Sequence, residues 1–489
     1  MKQPGEETAI FFPPRIVPLF WNHDQLFPEQ PPAVSPTHAA EITILHTNDL
    51  HSSIDGRQGT DGKTRGGLAR IATTIRRAHR AGPVLVFDAG DFVYGGGTWW
   101  DIQGAGAIAQ LRGRAGCDLA TIGNHDLEHG IAGLRELLTG GYPFVSANLQ
   151  VEDHEVQQHL RPAYIIEIAG WRIGVTGLTT LSTFDLIPSR ILQGITLTEP
   201  EPALARVVAA LEPQVDTIIV LSHLGFYESG TGDPGLARLV AGSKVSVILG
   251  AHTHDALDPA RTVTGITICN AGAYGANVGE VKLRHGSQGA IEVQTRLIPQ
   301  DETIPGDPGW VEARTQAAQA FQSLHETIIP LPVLAQPTGS ALNRDREWIL
   351  LARALHESGI VSLSALLMVP FFYVLGTLPA GEQATLAEIM TVYPNIEYLV
   401  EVESNGKVLK ELIARQSSLL YYQQARPLRL SDETEMYLEQ VDESSIYSIV
   451  TSELICEGGL GWGLSPTDII SSRSLDVTCL QVVRDYLAS

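Results

Sequence analysis

Apolar and polar positions change rhythm near Glu41. Before it the chain is proline-rich (PPR, EQPP, SPT) with isolated aromatics and no sustained period, so residues 1–40 are expected to form an irregular arm. From Glu41 onward, short β-branched runs are separated by helical stretches, the pattern of alternating strands and helices. Ile42 to Leu45 reads as a buried strand. Leu68, Ile71, Ala72, Ile75 and Ala78 then recur at the spacing of one helix face, with Arg76, Arg77 and Arg80 on the other, until Gly82 and Pro83 stop the helix. Further strands are predicted at Val84 to Phe87, Leu119 to Ile122, Phe144 to Ser146, Trp171 to Thr176, Thr217 to Leu221, Val245 to Leu249, Ile266 to Cys269 and Val278 to Leu283. Polar residues cluster directly after several of these runs, and side chains just beyond strand ends converge on one edge of a layered sheet, where α/β proteins build their sites.

The pattern divides the rest of the chain. Residues 41–300 form one domain, residues 301–330 a helical linker with its helix from Trp310 to Ile328, and residues 331–489 a second domain without internal repeat. Ser358 to Gly381 carries no charge and is long enough to span a membrane, but Pro370, Gly376 and Pro379 interrupt it and no basic cluster flanks it. Two buried strands joined by a turn are the better reading, and no membrane partner is expected.

Composition sharpens this. A chain of 489 residues, 44% hydrophobic, exceeds one comfortable core and excludes general disorder. The 33 Lys plus Arg against 55 Asp plus Glu leave a net charge of -22, which repels a nucleic-acid polymer while leaving room for a small anion held by metal ions. Cys117, Cys269, Cys456 and Cys479 are too scattered for a zinc knuckle or a disulfide framework. The start of the chain, with Glu6, Glu7, several prolines and Arg15, has no uninterrupted apolar run of the secretory kind, so a cytoplasmic location is the expectation.

The candidate chemistry lies in five short stretches, each following an apolar strand: HTNDLHS with Asp49 and His51, DAGD with Asp91, GNHDLEHG with Asn124 and His125, LSHLG with His223, and GAHTH with His252 and His254. Any one alone has a plain explanation as a turn or a satisfied polar residue. Together they supply Asp, His, Asp, Asn, His, His and His from consecutive strand ends, a mixed oxygen and imidazole set suited to borderline divalent ions. A carboxylate can bridge two cations, and neutral imidazole and amide ligands complete each shell without excess negative charge.

These residues resemble the calcineurin-like metallophosphoesterases, specifically the bacterial 5′-nucleotidase and 2′,3′-cyclic-nucleotide 2′-phosphodiesterase family, over about Glu41 to Val482. RGGLARIAT at Arg65, SANL at Ser146, GLTT at Gly177 and NAGAYGANVG at Asn270 follow in family order. The resemblance implies a four-layer α-β-β-α sandwich of the α/β class with a second, α+β domain that selects the substrate. It implies two divalent metal ions, with Mn, Zn, Fe, Co and Ni all compatible. Asp49, His51 and His254 would hold one, Asn124, His223 and His252 the other, and Asp91 would bridge them. A hydroxide held between the ions would attack the phosphate ester in line. His125 is then not a ligand but a stabiliser of the transition state. The family places an Asp three residues after this His, where the present chain has Glu128; Asp126 is the poorer substitute, because adjacent residues rarely point the same way.

The C-terminal half departs further. TLAEIMTVYPNIEYLVEVESNGKVLKELI, Thr385 to Ile413, resembles a family stretch in which Tyr393 and Asn395 lie in the substrate turn, Asn395 at a clamp aromatic and Glu397 at a ligand-binding Asn. ICEGGLGWGL, Ile455 to Leu464, puts Trp462 at the aromatic position of a glycine-rich loop. A Gly-Gly-Ile-Arg element is replaced by MVPFFYVLG, so its arginine is missing. Tyr393, Tyr398, Phe371 and Phe372 could stack on a base, although core packing is their plain reading. SSLLYY, with Tyr421 and Tyr422, looks more like the cyclic-nucleotide branch. The expected activity is hydrolysis of a small phosphate ester, a nucleotide in the first instance. The alternatives are a non-nucleotide ester, or a binding protein on the same fold that has lost turnover.

Overall fold

The computed structural model describes residues 14–22, 25–28, 41–58, 62–93, 105–138, 141–286, 290–319, 322–332, 345–362, 364–367, 378, 383–393, 397–417, 428–434, 436–459 and 463–489. The chain divides into two compact units, the boundary after the first falling at Ala317.

The first unit is built on two sheets. One runs, in spatial order, through Leu160–Arg161, Phe144–Val145, Leu119–Ala120, Val84–Asp88, Glu41–Thr47, Asn277–His285 and Ile291–Pro299. Its first five strands are mutually parallel and the last two antiparallel. The other runs through Arg261–Val263, Ile266–Cys269, Val245–Gly250, Thr217–His223, Trp171–Thr179, Ala163–Ile168, Arg15–Asn22 and Gln25–Pro28. Parallel strands covered on both faces need unbroken apolar runs, and Val84–Asp88 and Thr217–His223 are buried at every position.

The inner faces of the sheets share one core, in which Ile44, Phe87 and Val145 meet Trp171, Val175, Leu221 and Leu249. On the outer face of the second sheet, the helix Pro200–Leu211 packs Leu204, Val207 and Leu211 over Ile165, Val220 and Ile248. The first sheet is covered by helices including Leu68–Ala81, which turns Leu68, Ile71, Ala72 and Ile75 inward as its spacing predicts. The order is helix, sheet, sheet, helix. Register sets the strand ends level: Thr47 lies opposite Asp88, Asp88 opposite Ala120, and Ser222 opposite both Leu178 and Gly250. The polar stretches after these strands therefore leave the sheets at one edge.

Two expectations change here. The arm is not irregular throughout: Arg15–Asn22 pairs antiparallel with Ala163–Ile168, from Arg15 opposite Glu167 to Leu19 opposite Ala163, and buries Val17 and Leu19. Pro18 and the aromatics hide the alternation in the sequence, while pairing with a strand far along the chain satisfies the backbone. The linker is also not a spacer of its own. Its helix Pro308–Gln319 seats Trp310 and Ala313, with the indole Nε1 donating to the Leu111 carbonyl, and Ile328–Pro330 pairs with Gln383–Thr385 of the second unit.

The second unit comprises, among the described residues, Ser182–Gln193 and the chain from Ala318 on. Its five-stranded sheet has the order Leu428–Arg429, Leu366–Leu367, Ile446–Ser452, Leu399–Asn405, Ser471–Ser474. Helices Asp345–Ser358 and Cys479–Ala488 cover one face through Leu350, Leu355, Leu480 and Val483, and Gly406–Ser417 covers the other through Val408, Leu409 and Leu412. This is the α+β second domain. Of the uncharged stretch at 358–381, Leu366–Leu367 forms a buried strand and most of the remainder lies outside the described residues. Among the described residues no helix is long and apolar enough to cross a membrane. All four cysteines are free, and burial pushes the thiols of Cys117, Cys269 and Cys456 up to about 12.

Candidate metal centre

The seven predicted ligands come together at the shared sheet edge. Donor atoms of Asp49, His51 and His254 lie within 4.8 Å of one another, as do those of Asp91, His223 and His252. His51 Nε2 is 2.9 Å from His254 Nε2, and each lies within 3.9 Å of Asp49 Oδ1. Asp91 Oδ2 stands 3.0 Å from His223 Nε2 and 3.9 Å from His51 Nε2, so one carboxylate oxygen faces both groups. Asn124 Oδ1 meets His252 Nδ1 at 3.0 Å. Five of the seven, Asp49, His51, Asp91, His252 and His254, have a positive φ. Non-glycine residues in that region store strain that persists only where the surroundings impose it.

Electrostatics fit cation binding. Burial drives the Asp49 carboxyl up to about 7, with Asp91 adding to the rise against the pull of His223. Burial also opposes charge on Asp91, yet His223 and His125 hold it well below the usual carboxylate range. Burial pushes His252 down to about 3 and lowers His51, so these imidazoles are neutral and able to ligate. Burial opposes charge on His223, but Asp91 outweighs it and raises the pKa to about 10; its Nε2 lies fully buried 3.0 Å from Asp91 Oδ2, while its Nδ1 faces the Ala89 carbonyl at 2.8 Å. That orientation is how a ligating histidine is held, its second nitrogen fixed by a backbone carbonyl. The donors present fit a pair of divalent ions.

His125 sits at the rim. Its ring contacts that of His51 edge-on at 4.9 Å, its backbone N–H donates to Asp91 Oδ1 at 2.8 Å, and its Nε2 lies 4.0 Å from Asp91 Oδ2. Nδ1 is 2.6 Å from Glu128 Oε1. Burial opposes charge on this imidazole, but Glu128 and then Asp91 outweigh it and raise the pKa to about 9. Asp126 points elsewhere: its carboxylate accepts from the backbone N–H groups of Asp91, Phe92, Val93 and Gly123, at 2.9 to 3.0 Å.

The calcineurin-like phosphoesterase family profile matches residues 42–256, the stretch that carries every one of these ligands. Residues 42–256 carry a domain of the calcineurin-like phosphoesterase kind. Over 329 residues the chain is 27% identical to the 5′-nucleotidase of Mus musculus, covering 58% of this chain and 53% of that protein. It is 34% identical over 227 residues to the snake venom 5′-nucleotidase of Gloydius brevicauda, covering 44% and 37%. The chain thus spans about half the length of the curated relatives it matches, or less. Its structure resembles the 5′-nucleotidase precursor from Thermus thermophilus with a TM-score of 0.72 at 22% identity, over 91% of this chain and 96% of that one, a likeness of fold that includes a second C-terminal domain.

Several supports of the phosphoesterase centre escaped the sequence reading. Asn48 donates from Nδ2 to Asp49 Oδ2 at 2.7 Å, Asn270 Oδ1 at 2.9 Å and the Gly272 carbonyl at 2.5 Å, and accepts from Ala271 N at 3.0 Å, tying the first ligand loop to the NAGAYG loop. Asp88 accepts from Thr47 Oγ1, Gly90 N and the fully buried Arg112, bracing the loops that carry Asp49 and Asp91. Asp233 accepts from Ser222 Oγ at 2.5 Å beneath His223. Gly123 has no room for a side chain, since a Cβ there would collide with Asp91 Oδ1. Only the DAGD and GNHD spellings hinted at such partners.

The substrate candidates fare differently. Tyr393 is fully buried and its hydroxyl donates to the Glu347 carbonyl at 2.8 Å, which makes it part of the second unit's core, with no ring face left for a base. Glu397 is buried too and accepts from Leu454 N at 3.1 Å. Asn395, Trp462, Phe371, Phe372, Tyr421 and Tyr422 lie outside the described residues.

Proposed function

We propose that the chain is a dinuclear metal-dependent hydrolase of small phosphate esters, nucleotides first among them. The observation that carries this reading is the convergence of all seven candidate ligands at one sheet edge, with Asp91 facing both clusters. Asp49, His51 and His254 would hold one ion, Asn124, His223 and His252 the other, and Asp91 both. Bound there, two divalent ions would acidify a water and neutralise charge on the phosphoryl oxygens.

The chain's own residues do the rest. The Asp126 and Asn48 networks fix the ligand loops before substrate arrives, which is the preorganisation such catalysis requires. His125, kept protonated at neutral pH by Glu128 and Asp91, donates from Nε2 to phosphoryl oxygens as charge builds on them, while Glu128 orients the ring through Nδ1. Nucleotides rank first because the matched relatives are 5′-nucleotidases. A panel of 5′-, 3′- and 2′,3′-cyclic nucleotides beside p-nitrophenyl phosphate and its bis-ester, with the Mn-loaded protein, tests both levels. Turnover of the nitrophenyl esters alone would keep the chemistry and remove the nucleotide.

A further inference from the structure

One cation near the metal centre is unaccounted for. Arg57 begins the two-residue strand Arg57–Gln58, which pairs with Thr64–Arg65. Its guanidinium carbon lies 3.7 Å from the centre of the Tyr274 ring, and its Nε donates to Ser53 Oγ at 3.0 Å. Tyr274 in turn packs against two candidate ligands of one metal, with ring centres 5.6 Å from His51 and 5.5 Å from His254. Its backbone is fixed as well: Tyr274 N donates to the Asp49 carbonyl at 2.7 Å, and its φ is 58°. A tyrosine held in the left-handed region, with one part of the ring on the metal ligands and its face under an arginine, is an imposed arrangement.

Among the described residues no carboxylate pairs with Arg57. The nearest acid in sequence, Asp55, is engaged by the Arg314 guanidinium at 2.7 and 2.8 Å. The placement runs against electrostatics in two ways. A chain with 22 more acidic than basic residues has carboxylates to spare for an arginine. A guanidinium one ring away from His51 and His254 would also be repelled by a divalent ion held there, unless an anion lay between. The phosphoryl group undergoing attack would already be surrounded by the ions and His125. The guanidinium, further out and presenting a planar fork of donors, suits the next anionic group along the substrate.

We propose that Arg57, on its Tyr274 platform, is a specificity-determining residue that holds a second phosphate adjoining the scissile one, and so favours diphosphate esters over monophosphates. The proposal rests on the phosphoesterase reading of the neighbouring site. It is tested on the Mn-loaded full chain by calorimetry with methylenediphosphonate and methylphosphonate, which report the second anionic group without turnover. The wild type binds the diphosphonate more tightly, and Arg57→Gln cuts that preference by about tenfold, the scale of a hydrogen-bonded charge contact. Tyr274→Leu lowers the preference too, by removing the platform, whereas Tyr274→Phe keeps it because the ring face remains. A preference unchanged in Arg57→Gln, equal weakening of both ligands, or no preference in the wild type overturns the proposal. Failure of the wild type to hydrolyse p-nitrophenyl phosphate would instead remove the activity, leaving the affinity ratio to decide the role of Arg57.

Discussion

His125 and Glu128 carry the sharpest residue-level expectation. With Nδ1 committed to Glu128 at 2.6 Å and the backbone N–H to Asp91, the proposed role of His125 falls to Nε2. His125→Ala should keep both metals and lose roughly 10²- to 10³-fold in kcat, the scale of a preorganised donor, with little change in KM. Glu128→Gln should lose less, and the double variant should be no worse than His125→Ala; clean additivity in the kinetics would separate the two roles. Asp126 braces the backbone of Asp91 and Gly123, and under the proposed function it would act on the metals only through them. Asp126→Ala should therefore weaken metal uptake by about 10- to 100-fold, as loss of a supporting hydrogen-bond partner does, read by titrating Mn into the metal-free protein. Unchanged uptake would reduce Asp126 to a turn residue. That the candidate ligands come together was legible because each follows its strand within a few residues. Their supports were not, because Asn48 reaches Asn270 and Asp126 reaches Asp91, and spacing along the chain carries no trace of such pairs.

Strands and helices of the first unit were legible wherever one period dominates. The strand at Ile266–Cys269 and the helix Leu68–Ala81 fall where the apolar spacing puts them. The Arg15–Asn22 strand was hidden because its partner lies 152 residues away and Pro18 breaks its alternation. If that strand belongs to the sheet, Leu19, fully buried against Ala163 and Leu204, is a core residue. Leu19→Ala should then cost about 2–5 kcal/mol in denaturant unfolding; a cost under about 0.5 kcal/mol would return the segment to the surface. In the second unit, Glu401 ties three elements of the sheet together. It accepts from Ser362 N at 3.0 Å, Ser448 Oγ at 2.7 Å and the cross-strand Arg473 guanidinium at 2.5 Å. Burial opposes its charge, but these bonds prevail and bring its pKa from 4.5 down to about 2. A carboxyl depressed on folding stabilises fully above its unfolded value and loses that contribution as pH falls through the folded one. Glu401→Gln should lower Tm at pH 7, and the gap from wild type should narrow between about pH 4.5 and pH 2. A gap that is constant with pH would mean the carboxylate charge does not matter there.

At the scale of the whole molecule, the net charge of -22 and the proposed metal site would divide the work. An acidic chain of this charge disfavours nucleic-acid polymers, and a small anion would be drawn in only where bound ions offset the carboxylates. That a second, α+β domain follows the first was legible in the sequence, whereas the selection of substrate was not. Of the substrate turn, Tyr393 and Glu397 lie within the described residues and both are buried; Tyr393 serves the core, so its aromatic character answers to packing. The central claim is that hydrolysis belongs to a metal pair held by these seven residues, and one measurement tests it most directly: metal content by elemental analysis alongside p-nitrophenyl phosphate hydrolysis, before and after prolonged chelation and again after adding Mn. The account predicts two ions per chain when active, loss of hydrolysis as they leave, and its return with Mn, with Asp91→Ala defective in both content and rate. Full hydrolysis by protein shown to be free of metal, or an Asp91→Ala variant that keeps two ions and a near-normal rate, would contradict it.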